Sequence, residues 1–306
     1  MLAKALAPLA MLNGRMMQPV HPTLYPFPLA TTLHALRVAL AYRAICSGFR
    51  ARRKAEGKTA QELHVSRLRD AAGFLVMAWG GGFIANYLLC QIPGQMLTVW
   101  PWINYLSVYG AVTLALSVVG SGPSAKLLDL ALPVIDGATR TAATYGGINL
   151  VLNHANPAAR SSLLLQIIIG TISACGGGIS AFTLNVFDPL GWSFATPPFL
   201  KAKSLVEFTD IIAPALATAV FGVTTLSHPN YAPVVAAIHT KQAAILSQEG
   251  GKAIISLVIA SCFYLRAVWL HILVPAASPA PAPAPAPAAP RPIASNKAVR
   301  AAAKKQ

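Results

Sequence analysis

Charge is what this chain has least of. Charged residues make up 11% of its 306 positions and mean hydropathy is +0.56, against about 25% charge in an ordinary soluble domain, which excludes a water-soluble fold. Acids are scarcer still, 9 Asp plus Glu against 24 Lys plus Arg. The four cysteines (Cys46, Cys90, Cys175, Cys262) form no Cys-x-x-Cys pair, so neither a zinc site nor a disulfide framework is expected. Also missing are any Asn-x-Ser/Thr acceptor, nucleophile motif or Gly-x-x-x-x-Gly-Lys phosphate loop, and the seven histidines have no metal-ligand spacing. These absences argue against an enzyme, and no metal or cofactor is expected.

What is present is apolar length. About 20 apolar residues cross a hydrocarbon core of about 30 Å, and such windows recur seven times: Leu24 to Cys46, Asp70 to Ile92, Pro101 to Gly120, Leu127 to Leu150, Ser162 to Val186, Leu205 to Leu226 and Lys252 to Val274. The first, fourth and sixth are the most polar, carrying Arg37 and Arg43, then Asp129, Asp136 and Arg140, then Glu207 and Asp210. With seven crossings, fifteen Lys and Arg fall in one set of connecting segments and tail, and five in the opposite set. The positive-inside rule then puts the C-terminus in the cytosol and residues 1–23 on the luminal face as a short N-terminus. Because the charges flank apolar spans, anionic lipid head groups explain them better than nucleic acid does, and no nucleic-acid partner is expected. Residues 275–306 begin with alternating proline and alanine and end in Lys and Arg, the composition of a disordered, extended basic tail.

Two glycine triplets, Gly80 to Gly82 and Gly176 to Gly178, lie 96 positions apart in similar settings, Ala-Trp-Gly-Gly-Gly-Phe-Ile-Ala and Ala-Cys-Gly-Gly-Gly-Ile-Ser-Ala. A weaker echo relates Ala35 to Arg43 with Ala131 to Arg140, making Arg43 and Arg140 near equivalents. Units of three spans, residues 24–120 and 127–226, must cross in opposite directions. The expected fold is therefore all-α: a polytopic membrane protein of seven transmembrane helices in residues 24–274, built as two inverted repeats plus a seventh helix at 252–274. Inverted-repeat transporters and channels carry their pathways at the repeat interface, near broken or glycine-interrupted helices. The triplets are thus expected to kink their helices and border a pore, with Asn86 and Ser180 as small polar groups beside it; close helix packing is the alternative.

The intramembrane charges need partners. Asp136 and Arg140, four apart, can pair within the fourth span, or line the conduit with Arg140 as a gate or lipid-phosphate contact. Arg43 is open to snorkelling at the cytosolic interface, and Arg266 to a structural partner. Glu207 and Asp210, three apart, are candidates for pore-mouth carboxylates or for complements to the helix dipole.

The Tyr-Pro-Phe-Pro-Leu lead (Tyr25 to Leu29), the basic loop, Gly-Gly-Gly-Phe-Ile-Ala-Asn in the second span and the second triplet resemble the trimeric intracellular cation (TRIC) channel family over roughly Tyr25 to Leu273. The resemblance implies a homotrimer of the endoplasmic reticulum or nuclear envelope membrane, each protomer with a pore beside its glycine-kinked second and fifth helices. It implies passage of potassium and other monovalent cations to balance charge during calcium release, and binding of phosphoinositide or another anionic lipid at the fourth span. Animal members carry Lys-Glu-Val there. Here stands Ile-Asp-Gly (Ile135 to Gly137), with Lys126 and Arg140 the nearest basic residues. Two other readings use the same residues: a secondary transporter with Asp136 as coupling carboxylate, or a membrane scaffold that only binds acidic lipid.

Overall fold

The computed structural model describes residues 2–120, 124–238 and 243–274. The expected tail, 275–306, lies outside them. The twelve α-helices among the described residues are α1 (Leu2–Met16), α2 (Leu29–Ala55), α3 (Arg67–Leu88), α4 (Gly94–Leu97), α5 (Trp100–Val119), α6 (Ala125–Ala131), α7 (Pro133–Leu152), α8 (Pro157–Arg160), α9 (Leu163–Thr183), α10 (Thr209–Thr225), α11 (Ala232–Ile238) and α12 (Gln248–Val268). A two-stranded antiparallel hairpin, β1 (Pro19–His21) and β2 (Tyr25–Pro28), precedes α2.

Among the described residues, five helical stretches are long and apolar enough to cross a membrane: α3, α5, α9, Leu205–Thr225 containing α10, and Gln248–Leu273 containing α12. The two other long helices, α2 and α7, carry intramembrane charge, and one ion pair joins them: Asp136, buried on α7, lies 2.9 Å from Arg37 on α2. That pair is turned inward and away from lipid, where an isolated charge is expensive. The protein is a multi-pass membrane protein.

Contacts at the helix ends give the threading. On one face, Arg53 at the end of α2 pairs with Asp188 beyond the end of α9, and Arg69 at the start of α3 donates to the Pro189 carbonyl. On the opposite face, His154 after α7 meets the Leu89 carbonyl after α3 at 3.0 Å, and His228 after α10 meets the Ser161 carbonyl before α9 at 2.9 Å. There too Tyr25, ahead of α2, donates to Asn104 near the start of α5 at 2.8 Å. So α2 and α7 run oppositely, as do α3 and α9, and α5 and α10. Three pairs of equivalent helices are each inverted, as the odd number of spans requires.

Aromatic packing fills the first unit. Tyr42, Phe74, Trp79, Tyr105 and Tyr109 are buried together, with Phe74 stacked on Tyr109 at 4.6 Å between centroids. The second unit packs Ile148 and Phe221 against Ile255, Ile259 and Phe263 of α12, so the seventh helix completes its core.

Several boundaries differ from expectation, each for a local reason. The first span starts at Leu29 instead of Leu24, because Tyr25-Pro-Phe-Pro is held as a strand, and it runs on through Gly48 to Ala55, ending just before Gly57. The fourth is two helices, α6 and α7, divided at Leu132 and Pro133, where a proline ring opposes continuation from the preceding turn. The seventh ends in a π turn, Trp269–Leu273. The N-terminal segment contains a helix: Leu6 of α1 is buried with Leu246, Ala253 and Ile254, and Asn13 accepts a hydrogen bond from Ser256 at 3.1 Å. Its signal, Leu2, Leu6, Leu9 and Met16 at spacings of three, four and seven, is a one-faced stripe.

Candidate functional site

The glycine triplets lie within uninterrupted helices, α3 and α9. They are the place where these helices touch most closely. A Cβ on Gly177 would lie 2.1 Å from the Met77 carbonyl oxygen, one on Gly176 2.7 Å from the Gly81 Cα, and one on Gly81 2.6 Å from the Ile172 carbonyl oxygen. Gly80 is held against Ser180 in the same way. Gly82 and Gly178 stand off the crossing, with nothing near the Cβ position of Gly178 within 4 Å. Small residues at a membrane crossing let backbones approach and gain dispersion contact. Each triplet's helix keeps its hydrogen-bond ladder unbroken. Asn86 and Ser180 serve that ladder: Asn86 donates to the Gly82 carbonyl and Ser180 to the Gly176 carbonyl, both at 2.8 Å. Neither borders the cavity described next.

Beside the crossing is a cavity of about 490 Å³, walled by both units: His34 and Arg37 of α2, Gly81 of α3, Asp136 and Arg140 of α7, Ser173, Cys175, Gly177 and Gly178 of α9, Asp210 of α10, and Phe263 and Arg266 of α12. Asp129 of α6 and Glu207, in the turn before α10, also border it. The expected carboxylates Glu207 and Asp210 are thus brought to one cavity with Asp136 and Arg140.

The pairing within it is not the expected one. Asp136 and Arg140 do not bond to each other, because helical side chains four apart were each claimed by a neighbouring helix. Asp136 takes Arg37: Nη2 donates to Oδ2 at 3.1 Å, while Nε lies 2.9 Å from Oδ1 without its N–H aimed at that oxygen. Arg140 donates to Asp210 at 3.1 Å and to the Ala174 carbonyl at 3.0 Å, and its guanidinium lies 4.6 Å from the Phe263 ring centroid. Asp129 lies 3.8 Å from Arg37 and 3.1 Å from His271 Nε2. Glu207 accepts from the Lys203 amide and the Ser204 hydroxyl, both at 3.2 Å, capping its own turn. Three arginines face four carboxylates, a formal sum of −1 with the histidines neutral.

Arg43 lies elsewhere, held by neighbouring helices. It pairs with Asp70 at 2.7 Å, donates to Thr113 at 2.8 Å and to Tyr109, and so ties the first helix of its unit to the second and third. Arg140 does the same in the second unit through Ala174 and Asp210, which gives the sequence echo between the two arginines a structural counterpart. Lys126 is exposed on α6, away from the cavity. Arg37 and Asp129, noted in the sequence as charges within their spans but not assigned to the site, and His34, not singled out, are cavity residues; the signal was their charge or polarity in otherwise apolar windows. Outside the spans, burial raises the Asp188 carboxyl, but the Arg53 guanidinium and the Leu190 amide outweigh it and leave it below the ordinary carboxylate value.

The sequence matches no family model and no curated protein. The structure is similar to a solved structure of TRIC counter-ion channels, which act in calcium release, with a TM-score of 0.52 and 16% sequence identity over 81% of this chain and 96% of that one. The chain therefore has a TRIC-like fold, that of a polytopic membrane channel. The neighbour is a channel and not an enzyme.

Proposed function

We propose that the protein is a passive cation channel whose path is the cavity between its inverted units. The observation that carries this reading is the cavity itself: a space inside an apolar bundle bordered by both triplets and by four carboxylates against three arginines. Charged rings and wet constrictions are how membrane pores select and pass ions. Potassium as the main ion, a counter-ion role at an intracellular calcium store, a homotrimer in the endoplasmic reticulum or nuclear envelope, and a cytosolic C-terminus belong to the same reading, supported by the TRIC-like fold and the lopsided basic charge. Opening requires α7 to shift so that the Arg140–Asp210 bridge clears the space beside α9.

A side chain grown from Gly178 tests the path without moving the crossing, since it borders the cavity and has open space at its Cβ position. Gly178→Leu is expected to lower single-channel potassium current several-fold in planar bilayers with the protein's thermal stability retained. Undiminished current through a folded variant would take the path away from this cavity.

A further inference from the structure

A second cavity, of about 430 Å³, lies beneath α1, walled by α7, α12 and Ala30 of α2, and it shares no residue with the first. Its polarity is layered along α7. At one end Met16, Ala30 and Ala138 are buried together. One turn on, Thr141 meets the Ser256 hydroxyl at 2.7 Å, and Ser256 donates to Asn13 Oδ1 at 3.1 Å. A further turn on, Lys252 holds its ammonium 4.5 Å from the Tyr145 ring centroid and pairs with Glu249 at 2.8 Å.

Two features of this cavity have no use within the fold. Asn13 borders it and is 8% exposed; its Oδ1 is taken by Ser256, while its Nδ2 has no partner among the described residues. Leaving a buried amide donor unbonded costs stability, and such a group calls for an acceptor. Gly146 is the other. Its neighbour Gly147 is needed where it stands, since a Cβ there would lie 2.7 Å from the Ile169 carbonyl oxygen, but a Cβ on Gly146 meets nothing within 4 Å. Glycine weakens a helix interior, and at Gly146, which borders the cavity, what it secures is open space.

The walls define what would fill that space. Lys252 and Glu249 cancel, so the rim carries no net charge and an anion would have to displace Glu249. The volume is that of a small-molecule site with one free donor among apolar groups. Met16 and Met17 border it, and thioethers pack well against aromatic rings.

We propose that the cavity beneath α1 binds a small neutral aromatic carbonyl compound, of the aryl ketone or quinone class, whose oxygen accepts from Asn13 Nδ2 and whose ring lies against Met16 and Met17. The site stands apart from the conduit and does not rest on it.

The test is thermal unfolding of the purified full chain in neutral detergent, read as the fraction that stays monodisperse on gel filtration after heating, with acetonaphthone as the probe. A ligand that binds only the folded state raises the unfolding temperature by mass action. A saturable rise is expected. Ethylnaphthalene, which keeps the ring and lacks the carbonyl, should bind about tenfold more weakly, the worth of one buried hydrogen bond, and anionic naphthoate no better than ethylnaphthalene. Asn13→Leu is expected to remove the ketone's advantage over ethylnaphthalene. Gly146→Leu, which fills the cavity without a clash at its Cβ, should remove the rise for both. Partition of the probes into detergent is common to all variants and cancels in these comparisons. Should Asn13→Leu fail to fold, the contrast between the two probes and the Gly146→Leu variant decide. No saturable rise with acetonaphthone, an unchanged rise in Gly146→Leu, an undiminished ketone preference in Asn13→Leu, or tighter binding of naphthoate overturns the proposal.

Discussion

At the residue scale, the triplets show how similar glycines differ in consequence. Gly177 sits where any side chain collides with a backbone carbonyl, which cannot yield as a flexible side chain can. Gly177→Ala is therefore expected to destabilise the protein by about 1–3 kcal/mol through overpacking. Gly178→Ala meets nothing and replaces glycine in a helix interior, so it should be neutral or stabilising by up to about 1 kcal/mol. Thermal unfolding of the two single variants checks the contrast, and equal effects would contradict the crossing geometry. The sequence shows that the triplets are paired and special, because two matching settings in one chain are hard to ascribe to composition. It does not show which glycines touch, since that depends on the rotation of two helices about their axes. The same rotation explains why Asn86 and Ser180 turn to their own helices while Cys175 and Ser173 border the cavity.

At the element scale, the charged helices carry the organisation. Periodicity and length delimit α3, α5 and α9 to within a few residues, because long apolar windows admit few alternatives. They mislead at α2 and at α6 with α7, where the prolines at 26, 28 and 133 and the persistence of helix into the basic run decide the ends. Ion pairs are the least legible, because spacing along one helix says nothing of what stands opposite; Asp136 and Arg140 are near in sequence and belong to different pairs.

The Arg37–Asp136 pair gives a test at this scale. Asp136→Asn leaves a buried guanidinium uncompensated except for Asp129 at 3.8 Å, and removal of one partner of a buried pair costs about 3–5 kcal/mol. Replacing both, as Arg37→Met with Asp136→Leu, should restore much of the loss, and chemical denaturation of the single and double variants measures it. The pairing also bears on a coupled transporter: a carboxylate held by an arginine is poorly placed to load and release an ion in each cycle. A folded double variant that still passes potassium would remove Asp136 from any such coupling role.

At the scale of the whole molecule, the inverted repeat was the most legible property. It follows from counting, since three spans per unit reverse the second unit, and the end contacts of all three helix pairs agree. The cavity was not legible as a shape. The sequence pointed to the triplets as its makers, whereas it is built beside them, from the polar faces of α2, α7, α10 and α12 around one open side of the crossing. The TRIC-like fold holds at 16% identity, so what this chain shares with that channel is the arrangement of helices. Arg53 with Asp188 and Arg69 with the Pro189 carbonyl brace the two units at one face.

The most direct measurement is a planar-bilayer recording of the purified protein across a tenfold potassium chloride gradient. A hydrated cation path between the units predicts discrete current steps that reverse close to the potassium equilibrium potential, about 59 mV for a monovalent ion. The absence of steps, or reversal at zero or on the chloride side, would contradict it.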